Sequence, residues 1–246
     1  MAARALLEGH VSVAAALRGR SRPIHRILIA KEGVRADAAT RRIEAMADRQ
    51  GVLVERLPRA EIDDLASGRS HGGLVAEVGE RSLVALDSLV TDGAFVVMLD
   101  GVEDPYNLGA ALRSLYAAGA SGLVIRERSW DSATTIIARS AAGASELLPV
   151  SAVADPLDAM QMLGRAGVRT IVAAERADAV SLYEEQLTPP LFVLIGGERR
   201  GVARSVLDQA DAVVRIPYSR PDAASLGTAA AAAVIGFEVQ RQRLRG

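Results

Sequence analysis

The chain has 246 residues, half of them hydrophobic, a formal net charge of −1 and no cysteine. That length allows one large domain or two small ones. Charged residues, 24% of the chain, interrupt every apolar run before it reaches the ~18 residues of a membrane span. The absence of cysteine excludes disulfides, thiolate nucleophiles and Cys-ligated zinc or iron–sulfur centres. The three histidines, His10, His25 and His71, have no metal-ligating spacing, so no metal is expected.

The N-terminus, Met1-Ala2-Ala3-Arg4-Ala5-Leu6-Leu7-Glu8, lacks the continuous apolar stretch of a secretory signal. A cytoplasmic protein without a membrane partner is therefore expected. The near-neutral total conceals an asymmetry: residues 1–60 carry 12 Arg/Lys against 6 Asp/Glu, whereas residues 91–246 carry 15 against 18. Lys31 is the only lysine, and the arginine fork suits phosphate. Codon bias with a solvated face explains the same numbers. Aromatic residues, at 3%, are too few for a stacking platform of several rings.

In chain order, Glu8–Arg18 reads as a helix and Ile24–Ala30, behind Pro23, as a strand. Ala38–Arg49 is an amphipathic helix with Ile43, Met46 and Ala47 on one side, closed by Gly51. A strand over Val52–Leu57, a short helix over Ala60–Ala66, a turn-rich Ser67–Gly73 and a strand over Leu74–Val78 complete a small α/β unit. The mixed stretch 81–93 is read as a linker between a domain over 1–80 and a second over 94–246.

The second part contains five apolar runs: Phe95–Leu99, Leu123–Ile125, Val168–Ala173, Leu191–Ile195 and Val213–Ile216. They lack polar alternation, as do strands buried on both faces of a parallel sheet. Helical patterns separate them, at Leu108–Ala118, Ala133–Ala141, Pro156–Arg165, Val202–Ala210 and Ser225–Arg243. The expectation is an α/β fold with a parallel sheet.

No G-x-G-x-x-G, P-loop or G-x-S-x-G occurs. Three unusual loops remain, each at the C-terminal end of an expected strand, where open α/β sheets bind ligands. The first runs Asp104-Pro105-Tyr106-Asn107-Leu108-Gly109-Ala110-Ala111-Leu112-Arg113. Asn107 can cap the helix that follows, Leu108, Leu112 and Leu115 share one face, and Gly109 one turn before Arg113 leaves room for a substrate. A plain capped helix with a surface arginine is the simpler account. The second, Ile195-Gly196-Gly197-Glu198-Arg199-Arg200-Gly201, permits close backbone approach to a ligand, while Glu198 also suits the first turn of a helix. The third, Ile216-Pro217-Tyr218 through Ser225-Leu226-Gly227-Thr228, opens an alanine-rich helix, with Ser225 as its expected N-cap. Alanines 229–233 would let that helix approach another closely, within the chain or across a dimer.

Together and in this order the three loops resemble the motifs of the SpoU/TrmH branch of the SPOUT RNA methyltransferases. Motif 1 matches Asp104-Pro105-Tyr106-Asn107-Leu108-Gly109 through Arg113, motif 2 Gly196-Gly197-Glu198 through Gly201, and motif 3 Ile216-Pro217 then Ser225-Leu226. Ser140-Ala141-Ala142-Gly143-Ala144 resembles a further family stretch. Residues 95–240 carry this resemblance. The first 75 or so look like the ribosomal-protein-like RNA-binding domain of many members, with Ser70-His71-Gly72-Gly73 near its end.

The resemblance implies a C-terminal trefoil knot, a homodimer and bound S-adenosylmethionine, with methyl transfer to a ribose 2′-hydroxyl of ribosomal or transfer RNA. By motif position Gly196, Gly197, Ile216, Pro217, Ser225 and Leu226 contact the cofactor, and Arg113, Asn107 and Glu198 are the catalytic residues. A guanidinium holds its proton too tightly for a general base. Arg113 is therefore read as holding RNA phosphate and stabilising the developing alkoxide, with Asn107 fixing its loop. Gly227 stands where the family places an asparagine, removing an amide near the reaction centre. A catalytically impaired RNA- or cofactor-binding protein is thus the alternative, and an unrelated nucleotide-dependent enzyme a third. The target nucleotide cannot be read from the sequence.

Overall fold

The computed structural model describes residues 5–33, 38–127, 133–197, 201–220 and 225–245. The elements begin with β1 (Ala5–Glu8), α1 (Gly9–Gly19), β2 (Ile24–Ala30), α2 (Ala38–Arg49), β3 (Leu53–Leu57), α3 (Arg59–Leu65) and β4 (Leu74–Val78). There follow β5 (Phe95–Asp100), α4 (Pro105–Ala117), β6 (Gly122–Arg126), α5 (Thr134–Ser140), α6 (Ala144–Leu147) and β7 (Val150–Val153). The chain closes with α7 (Pro156–Arg165), β8 (Arg169–Ala173), β9 (Val180–Ser181), β10 (Leu191–Gly196), α8 (Arg204–Leu207), β11 (Ala212–Arg215) and α9 (Thr228–Arg243). No helix among the described residues is long and apolar enough to cross a membrane.

Two compact units form, one of Met1–Ser82 with Ser129–Leu147, the other of Leu83–Arg128 with Leu148–Gly246. The first holds a four-stranded sheet in the order β1-β4-β2-β3. Glu8 was expected to open a helix. Instead it ends β1, which pairs antiparallel with β4 through Leu7 and Ala76. Gly9, at φ +84°, turns the chain from that strand into α1. Four residues are too few to display a strand period.

Leu7, Leu17, Ile27, Ile29, Ile43 and Leu74 form the core of this unit, and Ala138 of α5 belongs to the same cluster. Thr135 Oγ1 donates to the Leu6 carbonyl at 2.7 Å, and a Cβ on Gly143 would stand 2.7 Å from Ala15 Cβ. The stretch that sequence reading placed inside the second domain thus packs with the first compact unit. Glu146, 1% exposed, anchors it. Its carboxylate accepts from Arg22 Nε at 2.9 Å, Arg81 Nη2 at 2.7 Å and Ser21 Oγ at 2.7 Å. Burial pushes this carboxyl's pKa up, but the Arg81 and Arg22 charges and the hydrogen bonds outweigh it and hold the group below the usual carboxylate value.

The second unit is built on a seven-stranded sheet, β7-β6-β5-β10-β8-β11-β9, parallel throughout. The central strands β5 and β10 are buried along their length, apart from Gly196 at the end of β10, as their unbroken apolar runs predict. The expected linker is not featureless: a 3₁₀ turn at Leu86–Leu89 puts Leu86 and Leu89 into this unit's core. A Cβ on Gly236 of α9 would come within 3.0 Å of Ala118 Cβ and 3.3 Å of Leu115 Cδ2. The close approach of α9 to α4 is therefore made at Gly236, beyond the alanine run.

Candidate active site

Helix α4 starts at Pro105, and its N-cap is Asp104, not the expected Asn107. The Asp104 carboxylate accepts from the backbone N–H groups of Tyr106 and Asn107, each at 3.2 Å. Proline at the first helical position fixes φ and lacks an N–H, which sets the start three residues earlier than a cap at Asn107 allows. Leu108, Leu112 and Leu115 are buried together, as expected. Gly109 is buried with them. Arg113 itself is exposed and has no ion pair or hydrogen bond among the described residues.

At the end of β10, Gly197 N–H donates to the Asp100 carbonyl at 2.6 Å, and Gly201 N–H to the Gly197 carbonyl at 3.2 Å. A Cβ on Gly197 would lie 2.2 Å from the Gly101 carbonyl oxygen. On Gly196 it would lie 2.8 Å from Val202 Cγ2 and 3.0 Å from Gly201 C. Contact with the loop after β5 at Gly197, and within the glycine loop itself at Gly196, therefore favours glycine at both positions in addition to ligand approach. Asp100, buried below them, takes a bidentate pair from Arg126, at 2.6 and 3.1 Å. That hydrogen bond raises the Arg126 pKa.

A cavity of about 380 Å³ opens at the C-terminal ends of β8, β10 and β11. Gly196, Gly197, Ile216, Ser225 and Leu226 all line it, so two of the three expected loops meet there. Pro217 does not line it, and neither do Arg113 and Asn107 of α4. Glu198 lies outside the described residues. Ser225 is not the N-cap of α9. Gly227 takes that place, with no side-chain capping bond. Sequence reading missed Ala173, Ala174 and Glu175 at the end of β8, and Val202; Tyr218 and Thr228 of the third loop line the cavity as well. Applying the strand-end rule to β8 as well would have found the first three.

The cavity volume lies in the range of small-molecule sites. Its wall is chiefly aliphatic and backbone, with a few polar side chains, and Arg215 is the one cationic residue among the described lining. Such a wall fits a phosphate-free nucleoside and offers no cluster of charges for a pyrophosphate. Among the described residues no group of His, Asp or Glu is arranged to hold a metal ion. The geometry defines an α/β protein with a cofactor-sized cavity at the strand ends of its parallel sheet.

Residues 94–237 match the SpoU rRNA Methylase family, and residues 6–83 the RNA 2′-O ribose methyltransferase substrate binding domain. The 23S rRNA (guanosine-2′-O-)-methyltransferase RlmB of Shewanella oneidensis is 34% identical over 198 residues, 78% of this chain and 80% of that protein. Its namesake from Pseudomonas syringae is 32% identical over 238 residues, covering 94% and 93%. Among solved structures, the SpoU methyltransferase AviRb of Streptomyces viridochromogenes in complex with AdoMet superimposes with a TM-score of 0.81. It shares 25% identity and covers 99% of this chain and 92% of that one. The chain belongs to the SpoU methylase family: it is an RNA 2′-O-methyltransferase that uses S-adenosylmethionine. The comparisons favour the active enzyme over the binding-only alternative raised by Gly227.

Proposed function

We propose that this enzyme methylates the 2′-hydroxyl of a guanosine in large-subunit ribosomal RNA, acting in the cytoplasm as a homodimer. The observation that carries the site is the cavity on which Gly196, Gly197, Ile216, Ser225 and Leu226 converge. The names of the RlmB relatives support the target. Gly196, Gly197, Ile216, Ser225 and Leu226 hold S-adenosylmethionine, largely through backbone groups. When bound, the cofactor supplies an electrophilic methyl group on its sulfonium. Arg113, with no partner of its own among the described residues, binds the RNA phosphate and stabilises the negative charge that grows on the ribose oxygen. Asn107 fixes the first turn of α4, and Glu198 orders the glycine loop.

In this reading the first unit, residues 1–82 with 129–147, binds RNA, and the second, residues 83–128 with 148–246, is the methyltransferase unit with the trefoil knot. Three exposed arginines support the RNA role. Gln50 Nε2 donates to the Leu17 carbonyl at 2.8 Å, so the C-terminal ends of α1 and α2 lie together. Arg18, Arg20 and Arg49 are exposed there, none paired with a carboxylate among the described residues. For the homodimer, the packed helices α4 and α9 leave Tyr116 41%, Phe237 48% and Leu244 80% exposed, an apolar surface suited to a second copy.

The test is transfer of a labelled methyl group from S-adenosylmethionine to protein-free ribosomal RNA, followed by mapping of the 2′-O-methylated position. Arg113→Ala is expected to abolish transfer and leave cofactor affinity within about threefold, because the lost interaction is made in the transition state. Undiminished turnover in that variant would refute the role of Arg113. Label confined to transfer RNA would overturn the ribosomal target.

A further inference from the structure

One polar side chain on the cavity wall belongs to none of the three motifs. Tyr218 Oη accepts the Leu226 backbone N–H at 3.1 Å. Both residues line the cavity, and they come from its two described stretches between β11 and α9. Leu226 precedes the N-cap of α9, so its N–H lies outside the helical hydrogen-bond ladder. Gly227 offers no side chain to hold this end of the helix, and its cap makes no side-chain bond. The phenol oxygen ties the Ser225-Leu226 stretch to the chain leaving β11.

A phenol is donor and acceptor at once. With Leu226 donating to the oxygen, the hydroxyl proton of Tyr218 has no acceptor among the described residues. The ring is 37% exposed and lines the cavity, so that proton is available to a ligand. We propose that Tyr218 is a positioning residue for S-adenosylmethionine: it holds Ser225 and Leu226 in the binding orientation and donates its hydroxyl proton to an acceptor atom of the cofactor. This rests on the cofactor assignment of the cavity and adds to it a residue that motif matching does not reach.

Tyr218→Phe removes the oxygen and keeps the ring. Calorimetry on the full chain is expected to show affinity for S-adenosylmethionine and S-adenosylhomocysteine weakened about three- to tenfold, the range of one hydrogen bond. KM for the cofactor should rise by the same factor, while kcat at saturating cofactor stays within about twofold, as lost uniform binding requires. Amide hydrogen exchange at Leu226 in the cofactor-free protein should quicken severalfold. Unchanged affinity for both ligands would overturn the proposal, as would a fall in kcat with affinity intact. Failure of the unaltered protein to bind either ligand would sink the cofactor assignment itself. Normal binding by Tyr218→Phe would sink this proposal alone.

Discussion

Gly197 has no room for even a methyl group, because a Cβ would stand 2.2 Å from the Gly101 carbonyl oxygen, an atom of backbone that cannot swing aside. Gly197→Ala is expected to cost about 1–3 kcal/mol by overpacking and to displace the cavity wall. Thermal denaturation and cofactor titration would both register it. Asp104→Ala removes the cap of α4 and should cost about 1 kcal/mol, seen as a lower denaturation midpoint with the cofactor site intact. The cap itself was partly legible. A polar cap at the start of the helix is legible, but the helical pattern beginning at Leu108 points to Asn107, whereas Pro105 fixes the start after Asp104. Gly196 and Gly197 were legible as a place of close approach. What they approach was not, since Gly101 comes from another loop and Gly201 from the far end of the same one.

The elements that could be read from sequence to the residue are the ones with full periods: α2 and α7 among helices, β2 and β4 among strands. The four-residue α6 and the strand β7, which carries Ser151 among its apolar residues, show too little pattern to be seen. Yet α6 carries the most buried charge in its unit. Because Arg81 and Arg22 hold the folded Glu146 carboxyl below its ordinary value, its contribution to stability is present above about pH 4.5, the unfolded value. It is lost as pH falls through the folded-state value. Glu146→Gln should lose about 3 kcal/mol at neutral pH by leaving two buried guanidinium groups uncompensated. Denaturant melts repeated down the pH scale should show the gap between variant and wild type closing in acid; a constant gap would disprove the charge argument. At the other end of the chain, Arg243 donates to the carbonyls of Gly93, Ala94 and Pro189 at 2.6, 3.0 and 2.9 Å and so fixes the last turn of α9.

At the scale of the whole chain, sequence order and spatial order diverge. Alternating strands and helices identified the parallel sheet, but nothing local indicates that β10 lies between β5 and β8. Strand neighbours are set by long-range pairing that leaves no periodic trace. The overall charge was similarly uninformative, because the basic residues are concentrated in the first 60 positions. Replacing Arg18, Arg20 and Arg49 by alanine should weaken RNA binding at all sequences and lower the slope of log affinity against log salt by about 3, roughly one per lost phosphate contact. An unchanged slope in filter binding would exclude that corner as the RNA contact.

The insertion of Ser129–Leu147 into the first unit has a bearing on how the protein is made. A ribosome releases the four strands of the first sheet well before α5 and α6, at roughly 5–20 residues per second. For several seconds Arg22 and Arg81 wait without the carboxylate that neutralises them, and the face that receives Ala138 stays open. The N-terminal unit therefore cannot mature first and then pass the chain on. Its completion depends on part of the second half, so the folding of the two units is coupled in time, and a nascent chain stalled before residue 147 would offer chaperones and proteases an unfinished surface.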